Sequence, residues 1–169
     1  SRTDGQKSHS RPYRDGRVCL DRVIQQAIAQ KLQNIWEPLF SDSSYGYRPK
    51  RSAGQAIQKV KEYAEEGYRY AVSVDLSKYF DTLNHELLMN LLHKQIQDMR
   101  VLRLIKKYLK SGVMENGVIC KTEEGSPQGG PLSPLLANIY LNEFDWEMNH
   151  RGVKLVRYAD DIVVFAKSK

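Results

Sequence analysis

The sequence has only two cysteines in 169 residues, Cys19 and Cys120. They have no metal-type spacing and make no disulfide framework, which points to a reducing compartment, with the cytoplasm as the default. No apolar run approaches the roughly 18 residues needed to span a bilayer, and the polar start Ser1 to Lys7 has no apolar signal-peptide core. No membrane partner is therefore expected. The chain also lacks an initiator Met, as an internal piece of a longer protein would. Internal repeats, coiled-coil heptads and low-complexity segments are absent too. What remains is a chain long enough for one substantial core or two small lobes.

Basic residues are in excess, 26 Lys and Arg against 20 Asp and Glu, a net charge of +6. The excess is clustered. Arg48, Lys50, Arg51, Lys59 and Lys61 fall in a stretch without an acid, and Lys94 to Lys110 holds six basic residues against Asp98 alone. Such clusters suit a polyanion, although each also reads as the solvated face of an amphipathic helix.

The acids that stand out are those in Lys154 to Ala166, where two runs rich in Val, Ile and Leu flank Tyr158-Ala159-Asp160-Asp161. Side chains on a continuous strand alternate between faces, so adjacent Asp residues converge only if the backbone turns beneath them. A hairpin tip at residues 159 to 161 is predicted. Two carboxylates on such a tip form a patch of negative charge that a hard divalent cation neutralises.

Residues 1 to 17 carry no periodicity and read as loop. A helix is predicted from Asp21, with Asp21 as cap and Pro38 as stop, carrying core positions Val23, Ile24, Ala27, Ile28, Leu32, Ile35 and Trp36. After it, Ser43 to Pro49 is a loop with aromatics among basic residues. Ser52 and Gln55 make a capping box for the next helix, which Gly67 closes. Lys50 and Arg51 at that helix start suit a phosphate, although these residues alone read better as a packed Tyr pair with solvated Arg and Lys.

Tyr70 to Leu76 reads as a short buried strand that delivers Asp75 at its end, where a carboxylate is costly unless paired or bound to metal. Taken alone, Asp75 is better explained as a strand-end cap or a surface acid than as a ligand. Asn84 caps a helix with Leu87, Leu88, Leu91 and Leu92, and an amphipathic helix follows near 99 to 109. Glu115-Asn116-Gly117-Val118 reads as a hairpin turn. Gly125 to Pro134 combines adjacent glycines, which admit close backbone approach, with prolines and Gln128, and Ser133-Pro134 starts a helix that Gly152 ends. The element order predicts an α+β fold, an antiparallel sheet covered by helices on one face.

If the Asp75 strand pairs beside the acidic hairpin, three carboxylates meet at one sheet edge. That is what two magnesium ions about 4 Å apart need for in-line phosphoryl transfer: one lowers the pKa of an attacking hydroxyl, the other binds a triphosphate and stabilises departing pyrophosphate.

Val74-Asp75 through Phe80-Asp81, Gly125 through Asn138, and Tyr158 through Asp161 resemble three successive reverse transcriptase motifs. Asp21-Arg22-Val23-Ile24-Gln25-Gln26 and Ser44 through Pro49 are similar to bacterial group II intron-encoded reverse transcriptases, or maturases. The resemblance runs from about Asp21 to Ala166. It implies a right-hand polymerase fold with fingers at residues 1–69 and 96–126 and palm at 70–95 and 127–169, and with no thumb in this chain. It further implies RNA-directed DNA synthesis with an RNA template, a DNA primer, dNTPs and two Mg2+ ions, joined to an intron-RNA maturase role in the bacterial cytoplasm.

By the same resemblance Asp75, Asp160 and Asp161 are the catalytic metal ligands, joined by the carbonyl of Leu76. Phe80 is the steric gate against a ribonucleotide 2′-hydroxyl, and Gln128 and Gly129 lie beside the incoming dNTP. Tyr158 lies near the primer end, with Arg48, Lys50 and Arg51 as further primer–template contacts. The family's usual Ile-Pro-Lys stretch is missing before Asp21, where Ser10 to Leu20 offers only Arg11, Arg14 and Arg17 as triphosphate candidates. Without a thumb this piece alone is expected to be inactive, and surfaces that would meet a thumb are open to self-association as a homodimer. The rival class is a non-catalytic module that binds intron RNA for splicing. Phe80 argues against a ribonucleotide polymerase or cyclase.

Overall fold

Ser52 and Gln55 exchange hydrogen bonds as the capping box requires, the Gln55 amide donating to the Ser52 hydroxyl and the Ser52 amide to Gln55 Oε1. Two otherwise orphaned amides are thereby satisfied at the start of a helix. The computed structural model describes residues 16–76, 83–110, 113–115, 118–120 and 130–168. In chain order the elements are α1 (Gly16–Trp36), a 3-10 turn (Glu37–Leu39), α2 (Ala53–Glu65), β1 (Tyr70–Asp75), α3 (His85–His93), α4 (Met99–Lys110), β2 (Val113–Glu115), β3 (Val118–Cys120), α5 (Ser133–His150), β4 (Lys154–Tyr158) and β5 (Asp161–Ala166). The protein is α+β.

Three starts and stops follow the local chemistry. Asn84 caps α3, its side-chain oxygen accepting from the Leu87 amide at 2.9 Å. Gly67 and Gly152 take positive φ, 90° and 73°, where the chain leaves α2 and α5, a conformation open to glycine without a Cβ clash. Helix α1 departs from expectation. It begins at Gly16, so Asp21 sits exposed inside it instead of capping it. Arg17, Val18 and Leu20 tolerate a helix despite their lack of periodicity. Of its described side chains Ala29, Leu32 and Trp36 are buried, while Leu20 and the expected core residues Val23, Ile24 and Ile35 stay exposed.

The main core lies among α1, α3, α4 and α5, where Leu88, Leu92, Ile105, Leu109, Leu132 and Leu136 are fully buried. The sheet is antiparallel in the order β1-β5-β4, and β2 and β3 form a separate antiparallel pair, the turn expected at 116–117 lying outside the described residues. Strand β1 pairs only with β5 among the described residues, so the buried strand expected over 70–76 is an edge strand with Val72 60% exposed.

Helices cover both faces of the sheet, not one. Val156 and Phe165 pack with Tyr45, Ala56 and Tyr63 beneath α2, whereas Arg157, the next residue along β4, bonds to Asn138 and Asp145 of α5. Neighbouring strand residues face opposite ways, so the two contacts lie on opposite sides.

Between α5 and β4 runs the segment Leu39 to Gly46, and polar side chains of α5 satisfy its backbone. Asn142 accepts from the Ser41 amide and donates to the Leu39 carbonyl, which also accepts from Trp146 Nε1. Asn138 donates to the Gly46 carbonyl at 2.8 Å. On its other side the segment adds to β4: the Tyr45 amide donates to the Arg157 carbonyl and the Arg157 amide to the Ser43 carbonyl, both at 2.8 Å. A buried loop must place its backbone polar groups in this way.

Candidate active site

Strands β4 and β5 join through two residues, Ala159 and Asp160, with Tyr158 paired to Asp161 across the hairpin. Ala159 has φ of 60° and Asp160 does not enter the positive range, the pattern of a type II′ turn, whose backbone twist matches that of the strands. The predicted hairpin tip is therefore present. Asp160 sits half-buried in the turn, and Asp161 opens β5 exposed to solvent.

The register of the neighbouring strand brings in the third acid. Asp75, the last residue of β1, is the direct partner of Asp161. Directly opposed positions of an antiparallel pair share a face of the sheet. One row across the sheet end thus reads Asp75, Asp161, Tyr158, with Asp160 beside it in the turn. Tyr158 is 40% exposed, and Leu76 follows β1 half-buried against the main core. Among the described side chains no group of three His, Cys, Asp or Glu residues is complete. Oxygen donors alone, in this number, are the donor set of a hard cation such as magnesium.

The other expected residues divide. Phe80, Gln128 and Gly129 lie outside the described residues. Gly130, just after them, comes so close to the Tyr108 hydroxyl and Gln25 Oε1 that a Cβ there would overlap both. Tyr108 itself bonds to the Ser133 hydroxyl at 2.7 Å, and burial pushes its phenol above the ordinary 10.0. Lys50 is exposed, and the Arg51 guanidinium pairs with exposed Asp42 and lies over the Tyr45 ring. Arg48 faces inward: its guanidinium donates to Glu37 and to the carbonyls of Glu37, Ser41 and Ser44. All five of its N–H donors are taken, so it holds the loop together and has none left for a phosphate. Of the Tyr pair, Tyr45 packs while Tyr47 is 59% exposed.

Three residues around the hairpin were not legible as a set. Arg157 and Asp145 form an ion pair with both side chains wholly buried, joined by bonds of 2.6 to 3.0 Å. Arg157 Nη1 also donates to Asn138 Oδ1 and to the Ala159 carbonyl, each at 2.8 Å. The signal was an Arg inside an apolar strand and an Asp on a helix of apolar neighbours, each too costly to bury unless paired.

Along the exposed face of α4, Arg100, Arg103, Lys106 and Lys107 are solvated while Leu102, Ile105 and Leu109 enter the core. Asp98 bonds to Arg100, which holds its carboxyl well below the usual range, at about 2. No helix of the described residues is long and apolar enough to cross a membrane.

The family model described as "Reverse transcriptase (RNA-dependent DNA polymerase)" matches residues 7–169. The group II intron-encoded protein LtrA of Lactococcus lactis subsp. cremoris is 46% identical over 126 residues, 74% of this chain and 21% of that protein. Protein YkfC of Escherichia coli strain K12 is 43% identical over 135 residues, 78% of this chain and 35% of that protein. The chain thus spans about a fifth to a third of the length of these relatives.

Among solved structures, a partial Cas6-RT-Cas1–Cas2 complex aligns over 89% of this chain and 27% of its own with a TM-score of 0.53 and 32% identity. Telomerase from Candida albicans, solved with a TWJ fragment of telomeric RNA, aligns over 88% of this chain and 31% of its own with a TM-score of 0.62. At 13% identity it speaks for the fold alone.

Proposed function

This chain belongs to the reverse transcriptase (RNA-dependent DNA polymerase) family, and from that premise we propose that it is the fingers and partial palm of a group II intron-encoded enzyme. The intact protein copies an RNA template into DNA, extending a DNA primer with dNTPs, and also binds its intron RNA as a maturase in the bacterial cytoplasm. The observation that carries this reading is the pairing of Asp75 with Asp161 beside the Asp160 turn.

Asp75, Asp160 and Asp161, with the Leu76 carbonyl, are the groups to hold two magnesium ions. When bound, these ions activate the primer hydroxyl and neutralise charge on the triphosphate. The chain's own residues do the placing. Tyr158, exposed in the same row of the sheet, supports the primer end. Phe80 acts as the gate that favours dNTPs, and Gln128 and Gly129 line the nucleotide site. Lys50 and Arg51 contact the primer–template backbone, and Arg48 keeps their loop in shape. The palm comprises residues 70–95 and 127–169, and the fingers 1–69 and 96–126.

The basic face of α4 supports the maturase role, since solvated cations along one helix side track an RNA backbone. A purely RNA-binding module is less well supported, because acids gathered at one end of the sheet, Asp161 among them exposed, repel a polyanion.

Magnesium-dependent primer extension on an RNA template, measured on the intact protein, tests the proposal. Asp160→Asn is expected to abolish DNA synthesis and leave RNA binding within about twofold. Synthesis at the wild-type rate by that variant removes the metal role.

A further inference from the structure

The turn that carries Asp160 is held at its central peptide. Type II′ and type I′ turns differ by a flip of the peptide unit between the two loop residues, and with it the sign of φ at the second. Here that unit joins Ala159 to Asp160, and Asp is among the residues that tolerate positive φ. Both turns are therefore open to this sequence, and the flip would swing the Asp160 carboxylate relative to the row of Asp75 and Asp161.

One hydrogen bond opposes it. Arg157 Nη1 donates to the Ala159 carbonyl at 2.8 Å, the oxygen of that same peptide unit. The guanidinium is itself immobilised: Nε and Nη2 are taken by Asp145, and Nη1 also by Asn138 Oδ1. Its backbone is bonded to Ser43 and Tyr45 on the flanking loop. Asn138 in turn donates to the Gly46 carbonyl, and Gly46 lies against the Ala159 amide. A planar, fully buried fork fixed at every nitrogen presents its last donor in one direction only.

We infer that Arg157, clamped by Asp145 and Asn138, is a positioning residue that selects the turn conformation and so aims the Asp160 carboxylate at the divalent cations. The inference rests on the polymerase reading and adds to it the device that sets one ligand's direction. Arg157 is wholly buried and its donors end on Asp145, Asn138 and the Ala159 carbonyl, so it acts through the turn. Its buried ion pair with Asp145 is replaceable as a source of stability, but no apolar pair could hold the carbonyl of residue 159.

The test uses the intact protein with Arg157→Lys, whose single ammonium keeps the charge opposite Asp145 yet cannot span Asp145, Asn138 and the Ala159 carbonyl together. In the metal-free protein, amide hydrogen exchange over residues 158–162 is expected to rise at least about tenfold while the core of α3 and α5 keeps its protection. In primer extension the magnesium concentration for half-maximal synthesis is expected to rise several-fold, with RNA-template affinity unchanged. Loss of packing alone does not shift a metal requirement in the folded fraction.

If Arg157→Lys gives no cooperative melt, Asn138→Ala carries the same two measurements, because it leaves the Arg157–Asp145 pair whole and frees Nη1 on one side. Wild-type exchange and wild-type magnesium requirement in a folded variant overturn the clamp while leaving the polymerase reading in place. A wild-type protein that makes no DNA with any divalent ion overturns the polymerase reading, and the clamp with it.

Discussion

Gly46 lies so close to the backbone nitrogen of Ala159 that a Cβ built on it would overlap that atom. The loop before α2 is thus pressed against the acidic hairpin, and the neighbour that must yield is backbone, not the free end of a side chain. Gly46→Ala is expected to cost about 1–3 kcal/mol as overpacking, read as a lower denaturation midpoint. Primer extension by the intact protein should fall more than stability alone explains, since Ala159 precedes Asp160. A variant of wild-type stability and activity would show that the two segments are not in contact.

Arg48 and Lys50, two residues apart, should behave as opposites. Arg48 is spent on Glu37 and on loop carbonyls, so Arg48→Ala should lower stability by about 2 kcal/mol, with the partly exposed Glu37 left unpaired. Lys50 is exposed. Lys50→Ala should leave the melting temperature unchanged, weaken template binding uniformly across sequences, and reduce the salt slope by roughly one. Titrations at several salt concentrations, beside thermal melts, separate the two.

Tyr108 gives a pH signature. Burial raises its phenol above the ordinary 10.0, outweighing the Ser133 hydrogen bond and the charge of Arg22. A group whose folded pKa is raised contributes stability that is complete below the unfolded value and is lost as pH rises through the folded one. Stability should therefore decline as pH climbs above 10. Tyr108→Phe removes this contribution: it should be less stable by about 1 kcal/mol at neutral pH, from the lost hydrogen bond, and its stability should be flatter as pH rises above 10. Denaturant midpoints across that range decide it; parallel curves for the two proteins would contradict the assignment.

The sequence made plain whatever depends on neighbours a few residues away. The Ser52–Gln55 capping box, the Asn84 cap, the Gly67 and Gly152 exits and the hairpin before Asp161 are all short-range chemistry, and all are present. Asp75 could be matched to Asp161 because each sits at the end of an apolar strand run. What depended on long-range packing was hidden. The inward turn of Arg48 needs Glu37 and two carbonyls that only the folded loop brings together. The exposure of Val72 follows from the edge position of β1, which β-propensity does not encode. Asn138, Asp145 and Arg157 meet only once α5 crosses beneath β4.

If Asp75 joins Asp160 and Asp161 around divalent cations, Asp75→Cys in the intact protein must change which cation supports synthesis. Thiolate binds magnesium poorly and softer ions well. RNA-templated DNA synthesis by this variant is expected to fall by roughly a hundredfold or more in magnesium and to return in part with manganese or cadmium, with RNA binding unchanged. Wild-type synthesis by Asp75→Cys in magnesium would contradict that role of Asp75.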